Sequence, residues 1–272
     1  MDFEEAFARC IYEGNIQGIK TLGVDNECIN DILVCTTPIP QKGDFLILPS
    51  VRRPTPLIYA ICCHQLNVVK LLFSLGADLK KPDENPILWH PIHYAAAVRD
   101  TEILDFILTN APEEIEAETK DHKATPLHFA VTANNVDMVA LLILRGADPN
   151  HANINHETAL HMSMILFDIE IPSILLSFGA KIDAKNSRGL TPSQIAKQRE
   201  NKKMLKYLEN VASDPKIVPK KEDIKKRYVS SFRSSKDTDE EPATDPEAII
   251  SHLNILSQRI TAVEEAVGLN DE

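Results

Sequence analysis

One short motif recurs five times along this chain at a nearly constant interval, and this regularity constrains the fold more than any other feature. The copies begin at Thr55, His90, Thr125, Thr158 and Thr191, so the steps are 35, 35, 33 and 33 residues. A period near 33 residues predicts stacked repeats, each too small to bury its apolar face alone. A chain of this kind typically works by presenting a surface to a partner.

Each copy has the residue types that begin a helix. Threonine caps a helix by accepting a backbone N–H, and proline fits the first helical position because its missing N–H costs nothing there. The pairs Thr55-Pro56 and Thr125-Pro126 therefore predict helix starts. A second helix is predicted from Val136, and Gly146 ends it because glycine adopts the left-handed conformation without a clash.

These repeats resemble the ankyrin-repeat family over roughly residues 1–210. The motif Thr125-Pro126-Leu127-His128 matches one family anchor, and Gly-Ala-Asp at 76–78 and 146–148 matches the other. The resemblance implies an all-α solenoid of helix–turn–helix repeats with β-hairpin-like connections. It also implies about six repeats, of which the first, 2–23, and the last, 191–208, are caps. The family's repeat histidine, which hydrogen-bonds between repeats, corresponds here to His93, His128 and His161.

One stretch breaks the repeat register. Residues 30–53 form an insertion that contains several prolines and the apolar run 45–48. Two interpretations stay open: the insertion folds back on the solenoid, or it is a binding loop, since long ordered loops in compact domains are often functional.

Charge is unevenly distributed after the repeats. Residues 211–236 carry a net charge of +5, and residues 237–247 carry −6. With its prolines and serines, the range 211–246 is predicted to be a disordered linker. The basic cluster Lys220–Arg227 is either a nuclear import signal or ordinary solvated linker.

The apolar pattern returns after the linker with a heptad period, which predicts a coiled-coil helix over 247–268. The sequence around Arg259 also matches the R-h-x-x-h-E trimerisation motif, so three strands are favoured over two. A helix that docks back on the solenoid and a helix that binds another protein are the alternatives. The residues assigned to self-association are Ile249, Leu253, Leu256, Arg259, Ile260, Val263, Glu264 and Val267.

Composition and missing motifs argue against other classes of protein. A net charge of −11 argues against nucleic acid as the main partner, and no apolar run is long enough to insert in a membrane. Phosphate-binding, zinc-protease and nucleophile-elbow motifs are absent, so we expect no enzyme activity, no cofactor and no metal site. The five cysteines are odd in number and lack C-x-x-C spacing, which favours a reducing, cytoplasmic location.

The hairpin tips and first helices are the expected binding surface, because ankyrin repeats bind partners along that concave face. Trp89 is the single tryptophan, and it is either an exposed contact residue or packed on the next hairpin. The acidic run 113–118 favours a protein partner with a basic surface. The candidate contact residues are Trp89, His90, Glu113, Glu114, Glu116, Asp121, His122, Glu157 and Arg188.

These features together predict a non-catalytic scaffold or adaptor. The solenoid would bind a protein partner, and the C-terminal helix would cluster several copies. The alternative is a regulatory or masking subunit whose basic–acidic tail controls its location.

Overall fold

The computed structural model describes residues 3–24, 28–31, 33, 54–83, 88–166 and 168–234. The chain divides into two compact units, an N-terminal unit of residues 1–155 and a C-terminal unit of residues 156–272. Most of the insertion 30–53 and all of the predicted coiled coil 247–268 lie outside the described residues.

The N-terminal unit contains four consecutive helix pairs. The inner helices α1, α3, α5 and α7 pack side by side in chain order, and the outer helices α2, α4, α6 and α8 form a second row. The bounds are α1 Phe3–Tyr12, α2 Ile16–Thr21, α3 Pro56–Cys62, α4 Leu66–Ser74, α5 Pro91–Ala97, α6 Thr101–Asn110, α7 Pro126–Thr132 and α8 Val136–Arg145. Short 3-10 helices span Cys28–Asn30 and Pro112–Glu116.

The inner helices form the core because each is enclosed by its neighbours in the stack. Every residue of α3 and of α5 is buried. Ala60, Ala95 and Ala130 are fully enclosed, and their small side chains let successive inner helices approach closely. In the outer helix α4 only Val68, Val69 and Leu72 are buried, as expected for a helix with one covered stripe.

The C-terminal unit holds two further helix pairs and one additional helix. These are α9 Ala159–Ser163, α10 Glu170–Ser177, α11 Pro192–Gln198, α12 Lys202–Ser213 and α13 Lys221–Ser234, with a 3-10 turn over Pro215–Ile217. Pro172 lies at the third position of α10, within the first turn, where a missing N–H is tolerated. The predicted all-α architecture is confirmed, since the described residues include no β-strand.

The predicted helix boundaries follow the expected chemistry. Thr55 accepts the N–H of Ile58 at 3.3 Å, and Gly146 ends α8 with a left-handed φ of 105°. Helices α2, α6, α8 and α12 begin on a different cap, an Asn or Asp side chain. Asn135, for example, accepts the N–H of Met138 at 3.1 Å.

The structure departs from the sequence prediction of a disordered linker from residue 211. Residues up to Ser213 belong to α12, and 221–234 form α13. Ile224 and Tyr228 of α13 lie one helical turn apart and are each 2% exposed, and α13 packs on α10. Charge composition averaged over the stretch conceals this pair of apolar anchors.

Candidate interaction surface

Three connections between repeats are closed by side-chain oxygens that accept a backbone N–H from the far end of the same connection. Thr119 Oγ1 accepts the N–H of Ala124 at 3.1 Å, and Asn186 Oδ1 accepts the N–H of Leu190 at 3.0 Å. Asp83 does the same for the N–H of Trp89, at 3.0 Å. These three connections therefore share one kind of anchor, and their described residues form no β-strand.

The repeat histidines join each helix start to the following hairpin. Nδ1 of His93, His128 and His161 accepts the N–H of the residue three positions earlier, at 3.0–3.2 Å. The Nε2 atom of His93 lies 2.8 Å from the carbonyl oxygen of Ala117, and that of His161 lies 3.2 Å from the carbonyl oxygen of Leu190. These contacts assign structural roles to the histidines, as the resemblance implies.

His93 is held in its neutral form. Burial lowers its pKa from 6.5 to about 4, and hydrogen bonds to backbone groups only partly oppose this effect. A neutral ring that accepts at Nδ1 must carry its proton at Nε2, which is the atom that donates to Ala117. Burial also lowers the pKa of His161.

His90 occupies the position where the other copies have threonine. Its Nδ1 lies 2.6 Å from Glu114 Oε2, and the Glu114 side chain is only 9% exposed. The sequence placed Glu114 on an exposed acidic ridge. The structure corrects this, because the 3-10 helix Pro112–Glu116 turns Glu114 inward towards His90.

Trp89 is buried, so the packing interpretation agrees with the structure and the exposed-contact interpretation does not. The residue is 6% exposed. Its ring makes an edge-on contact with Phe129 of the next repeat, with centroids 4.5 Å apart, and it also packs on Tyr94 at 5.3 Å. Trp89 therefore belongs to the packed core beside the hairpins and not to their exposed surface.

The hairpin of residues 112–124, which we name the acidic hairpin, is tied to both of its neighbours. Glu113 pairs with Lys80 of the preceding connection. On the other side, His151 lies 3.1 Å from Glu116 and 3.0 Å from Glu118. Three consecutive connections of the N-terminal unit are thereby joined into one charged surface.

Glu116 is a supporting residue in this surface. Its Oε1 atom accepts the N–H of Asp148 at 2.7 Å. Burial raises the pKa of Glu116, and the bond from Asp148 and the nearby His151 oppose that rise. The side chain is 32% exposed, which leaves it partly accessible.

Two of the predicted contact residues lie at the tip of the acidic hairpin. Asp121 and His122 contact each other, with 2.5 Å between Oδ2 and Nδ1, and the His122 side chain is 67% exposed. Glu157 and Arg188 belong to the C-terminal unit, where their side chains are 4.0 Å apart. The predicted set is thus divided between the two units.

Sequence reasoning missed three residues that organise this surface. Lys80 and His151 hold the two flanks of the acidic hairpin, and Asp83 anchors the connection before it. A polar residue five to seven positions before the N-cap of an inner helix, as in Asp83, Thr119 and Asn186, is the signal that could have identified the hairpin anchors. No comparable sequence signal marks the two flanking residues.

Two other kinds of feature, a metal site and a membrane-spanning helix, are absent from the described residues. Within them, no three His, Cys, Asp or Glu side chains are grouped so as to hold a metal ion. No helix in the described ranges is both long enough and apolar enough to span a bilayer.

Similarity to known proteins agrees with this architecture. A family model for ankyrin repeats (3 copies) matches residues 82–153, and one for a single ankyrin repeat matches residues 55–84.

Several curated proteins are similar to the same part of the chain. The chicken nuclear factor NF-kappa-B p105 subunit is 29% identical over 208 residues, which is 75% of this chain and 21% of that protein. The human transient receptor potential cation channel subfamily A member 1 is 30% identical, over 53% of this chain and 13% of the channel. A putative zebrafish palmitoyltransferase, ZDHHC13, is 28% identical over 60% of this chain and 24% of its own length.

The chain therefore spans a quarter or less of the length of these three relatives, and what they share with it is the repeats. Helix pairs at a period near 33 residues, histidines that bridge successive repeats and the two family matches lead to the same assignment. This chain contains ankyrin repeats, which the family models match over residues 55–153.

Proposed function

We propose that this chain is a non-catalytic scaffold or adaptor whose acidic hairpin binds a protein partner with a basic surface. Ankyrin repeats generally mediate protein–protein interaction, and the repeat fold provides the class of function. The observation that carries the proposal is that the acidic hairpin is fixed on both sides and still leaves carboxylates accessible. Glu118 is 42% exposed and Asp121 is 30% exposed.

Rigidity supports binding because fewer degrees of freedom are lost when a partner docks. Lys80 holds one flank of the acidic hairpin and His151 holds the other. The partly buried pair His90–Glu114 fixes its base. The tip can therefore present its charges without reorganising.

Charge supports a cationic partner. The acidic hairpin contains five acidic and two basic residues, and residues 1–155 contain 21 acidic and 12 basic residues. A surface of one sign accelerates encounters with a partner of the opposite sign and disfavours partners of the same sign. Glu113, Glu118, Asp121 and His122 are the contact residues that this proposal retains.

Charge reversal at the hairpin tip is expected to weaken binding of basic peptides at least about tenfold, because two attractive contacts become repulsive. The variant is Glu118→Lys with Asp121→Lys in the full chain. Peptides would be selected from a displayed random library against the unmodified chain, and their Kd measured for each protein.

The matched control is Glu102→Lys with Asp137→Lys, which makes the same change in net charge on the exposed first turns of α6 and α8. Selected peptides should be rich in Lys and Arg and should bind this control normally. Peptides without a basic bias, or equal weakening in both variants, would contradict the proposal.

Self-association through residues 247–268 is the second part of the proposal. The heptad stripe and the R-h-x-x-h-E match support it, with a trimer favoured over a dimer. A helix this short is marginal alone, so its apolar stripe needs a partner. Clustering would raise the avidity of the hairpin surface through effective concentration.

Ile260→Lys is expected to reduce the full chain to its monomer mass of 30.4 kDa, since a lysine at this stripe position would bury a charge. Gln258→Lys, on the opposite side of the heptad, is the control and should keep the larger mass. Sedimentation equilibrium over a concentration series provides the measurement. An unmodified chain that stays at the monomer mass at every concentration refutes self-association.

The regulatory alternative requires the basic cluster Lys220–Arg227 to be accessible to an import receptor. In the structure this cluster lies at the start of α13, where Ile224 is buried and Arg227 is 3.5 Å from Glu170. Tyr228 also donates a hydrogen bond to Glu170 at 2.8 Å. These anchors support the scaffold proposal better than a freely accessible targeting peptide.

A further inference from the structure

An open groove of about 630 Å³ lies in the C-terminal unit, outside the surface described above. The end of α10, the end of α12, the segment 215–219 and the first turn of α13 line it. Its walls are mainly apolar and include two prolines. The apolar lining residues are Leu176, Ala180, Ile182, Val211, Ala212, Pro215, Val218 and Pro219.

Basic side chains stand at one edge of this groove. Lys220 and Lys221 both line it and are both exposed, and Glu222 is the one acidic residue among the lining residues. Lys221 Nζ lies 4.8 Å from the centre of the Phe178 ring, which holds this ammonium group near the groove. Within the described residues, Lys220 forms no salt bridge.

The surrounding charge is also positive. Residues 156–234 contain fifteen basic and nine acidic residues, a net charge of +6. The chain that follows reverses this balance, because residues 235–272 contain two basic and ten acidic residues, a net charge of −8. The groove and the following segment are therefore complementary in charge.

The geometry points to the chain's own segment Glu240–Glu247 as the occupant of this groove. Its acidic residues would pair with Lys220 and Lys221, and its two prolines and its alanine would lie along the apolar walls. The segment carries four acidic residues, Glu240, Glu241, Asp245 and Glu247, with Pro242, Ala243 and Pro246 between them. Proline also lowers the entropy lost on binding, since its φ is already fixed.

The number of residues between the end of α13 and each acidic residue determines which of them can reach the groove. Helix α13 starts at the groove and contains 14 residues, so its far end lies about 21 Å away at 1.5 Å per residue. Six extended residues cover about 20 Å, so residues 235–240 are just long enough to return. The acidic residues from Glu240 onwards can therefore reach the lysines, whereas Asp237 and Asp239 come too early in the chain.

This inference does not rest on the proposed partner binding or on self-association. The segment ends before the first residue of the heptad stripe, Ile249, so that stripe stays available when the groove is filled. The competing occupants are the same segment of a second copy and an unrelated acidic peptide. The experiment separates these outcomes.

The test is zero-length carbodiimide cross-linking of the full chain, which joins a lysine only to a carboxylate in contact with it. An equal mixture of unlabelled and ¹⁵N-labelled chain is cross-linked and analysed by mass spectrometry. We expect links from Lys220 or Lys221 to Glu240–Glu247 that pair peptides of one label only. Links that pair the two labels, or no links to this segment, overturn the inference.

A groove variant tests whether those links depend on the apolar walls. Ala212→Glu introduces bulk and negative charge at an exposed wall position and leaves both lysines in place. We expect the yield of the links to fall about tenfold. Ser213→Glu makes the same charge change at the next residue, which is exposed and does not line the groove, and it should keep the yield. Equal yields in the two variants would contradict docking in the groove.

Discussion

Replacing Asp83 with alanine is expected to destabilise the N-terminal unit by about 3–4 kcal/mol, the largest single effect among the hairpin residues. Asp83 is 2% exposed. Its carboxylate accepts the N–H of Trp89 and the hydroxyl of Tyr94. Removing the carboxylate takes this acceptor away from two buried donors, at a cost of about 1–3 kcal/mol each.

The measurement is urea unfolding followed by tryptophan fluorescence. Trp89 is the only tryptophan in the chain and is bonded to Asp83, so its emission reports on this hairpin directly. Tyr94→Phe removes one of the two donors and should cost about 1–2 kcal/mol.

Asp78→Ala is the control for Asp83→Ala. Asp78 belongs to the same connection but is exposed, and its carboxylate accepts only a local N–H from Lys80 at 2.9 Å. We expect this change to cost less than about 1 kcal/mol. If Asp83→Ala lost no more stability than Asp78→Ala, the carboxylate would not be the anchor of the hairpin.

The second large effect is the dependence of stability on pH through His93. The pKa of this residue is about 4 in the folded chain and 6.5 as its reference value. Between these values the unfolded chain binds a proton that the folded chain does not. The free energy of unfolding therefore falls as the pH is lowered from 6.5 to 4, by about 3 kcal/mol in total, and this contribution is fully present above pH 6.5.

His93→Gln is expected to remove this dependence. A glutamine already occurs at the equivalent position of another repeat. Gln194 lies three residues after Thr191, as His93 does after His90, and its Oε1 atom accepts the N–H of Thr191 at 2.9 Å. A glutamine at position 93 can keep the cap acceptor but does not titrate. The variant gives up the bond to Ala117, so it should be less stable than the unmodified chain by about 1 kcal/mol at pH 7.5.

Unfolding curves at pH 7.5, 6 and 4.5 provide the comparison, again through the fluorescence of Trp89, whose ring centroid is 6.4 Å from that of His93. The two proteins differ only at position 93, so only the difference between their unfolding curves is interpreted. The unmodified chain should be more stable than His93→Gln at pH 7.5, by a margin that decreases as the pH falls. At the lowest pH the variant should be the more stable of the two. Parallel losses of stability in the two proteins would show that His93 is not the titrating group.

Sequence could predict the helix starts and the repeat period because these depend on local chemistry. In the described residues a threonine followed by proline begins a helix at Thr55, Thr125 and Thr191. A glycine such as Gly146 ends one. The histidine roles were also predictable, since one side chain repeats at one position. These features recur several times, so each copy supports the interpretation of the others.

Features that depend on a single tertiary contact could not be predicted in the same way. Trp89 occurs once, and only the ring of Phe129 forty residues later decides that it is buried. Glu114 turns inward because His90 replaces a threonine, a pairing that no local pattern indicates. Helix α13 depends on two apolar anchors in a strongly charged stretch, so composition predicted a disordered linker instead of a helix.

The bond from His93 to Ala117 has a consequence for how such a chain can change in length. The start of α5 is completed by an atom 24 residues further on, in the next repeat, and His161 does the same with Leu190. A deletion or duplication of whole repeats keeps an acceptor for each of these histidine N–H donors. A deletion or duplication of part of a repeat leaves a buried imidazole without its acceptor. This hydrogen-bonding pattern therefore favours changes in the length of the array by whole repeats.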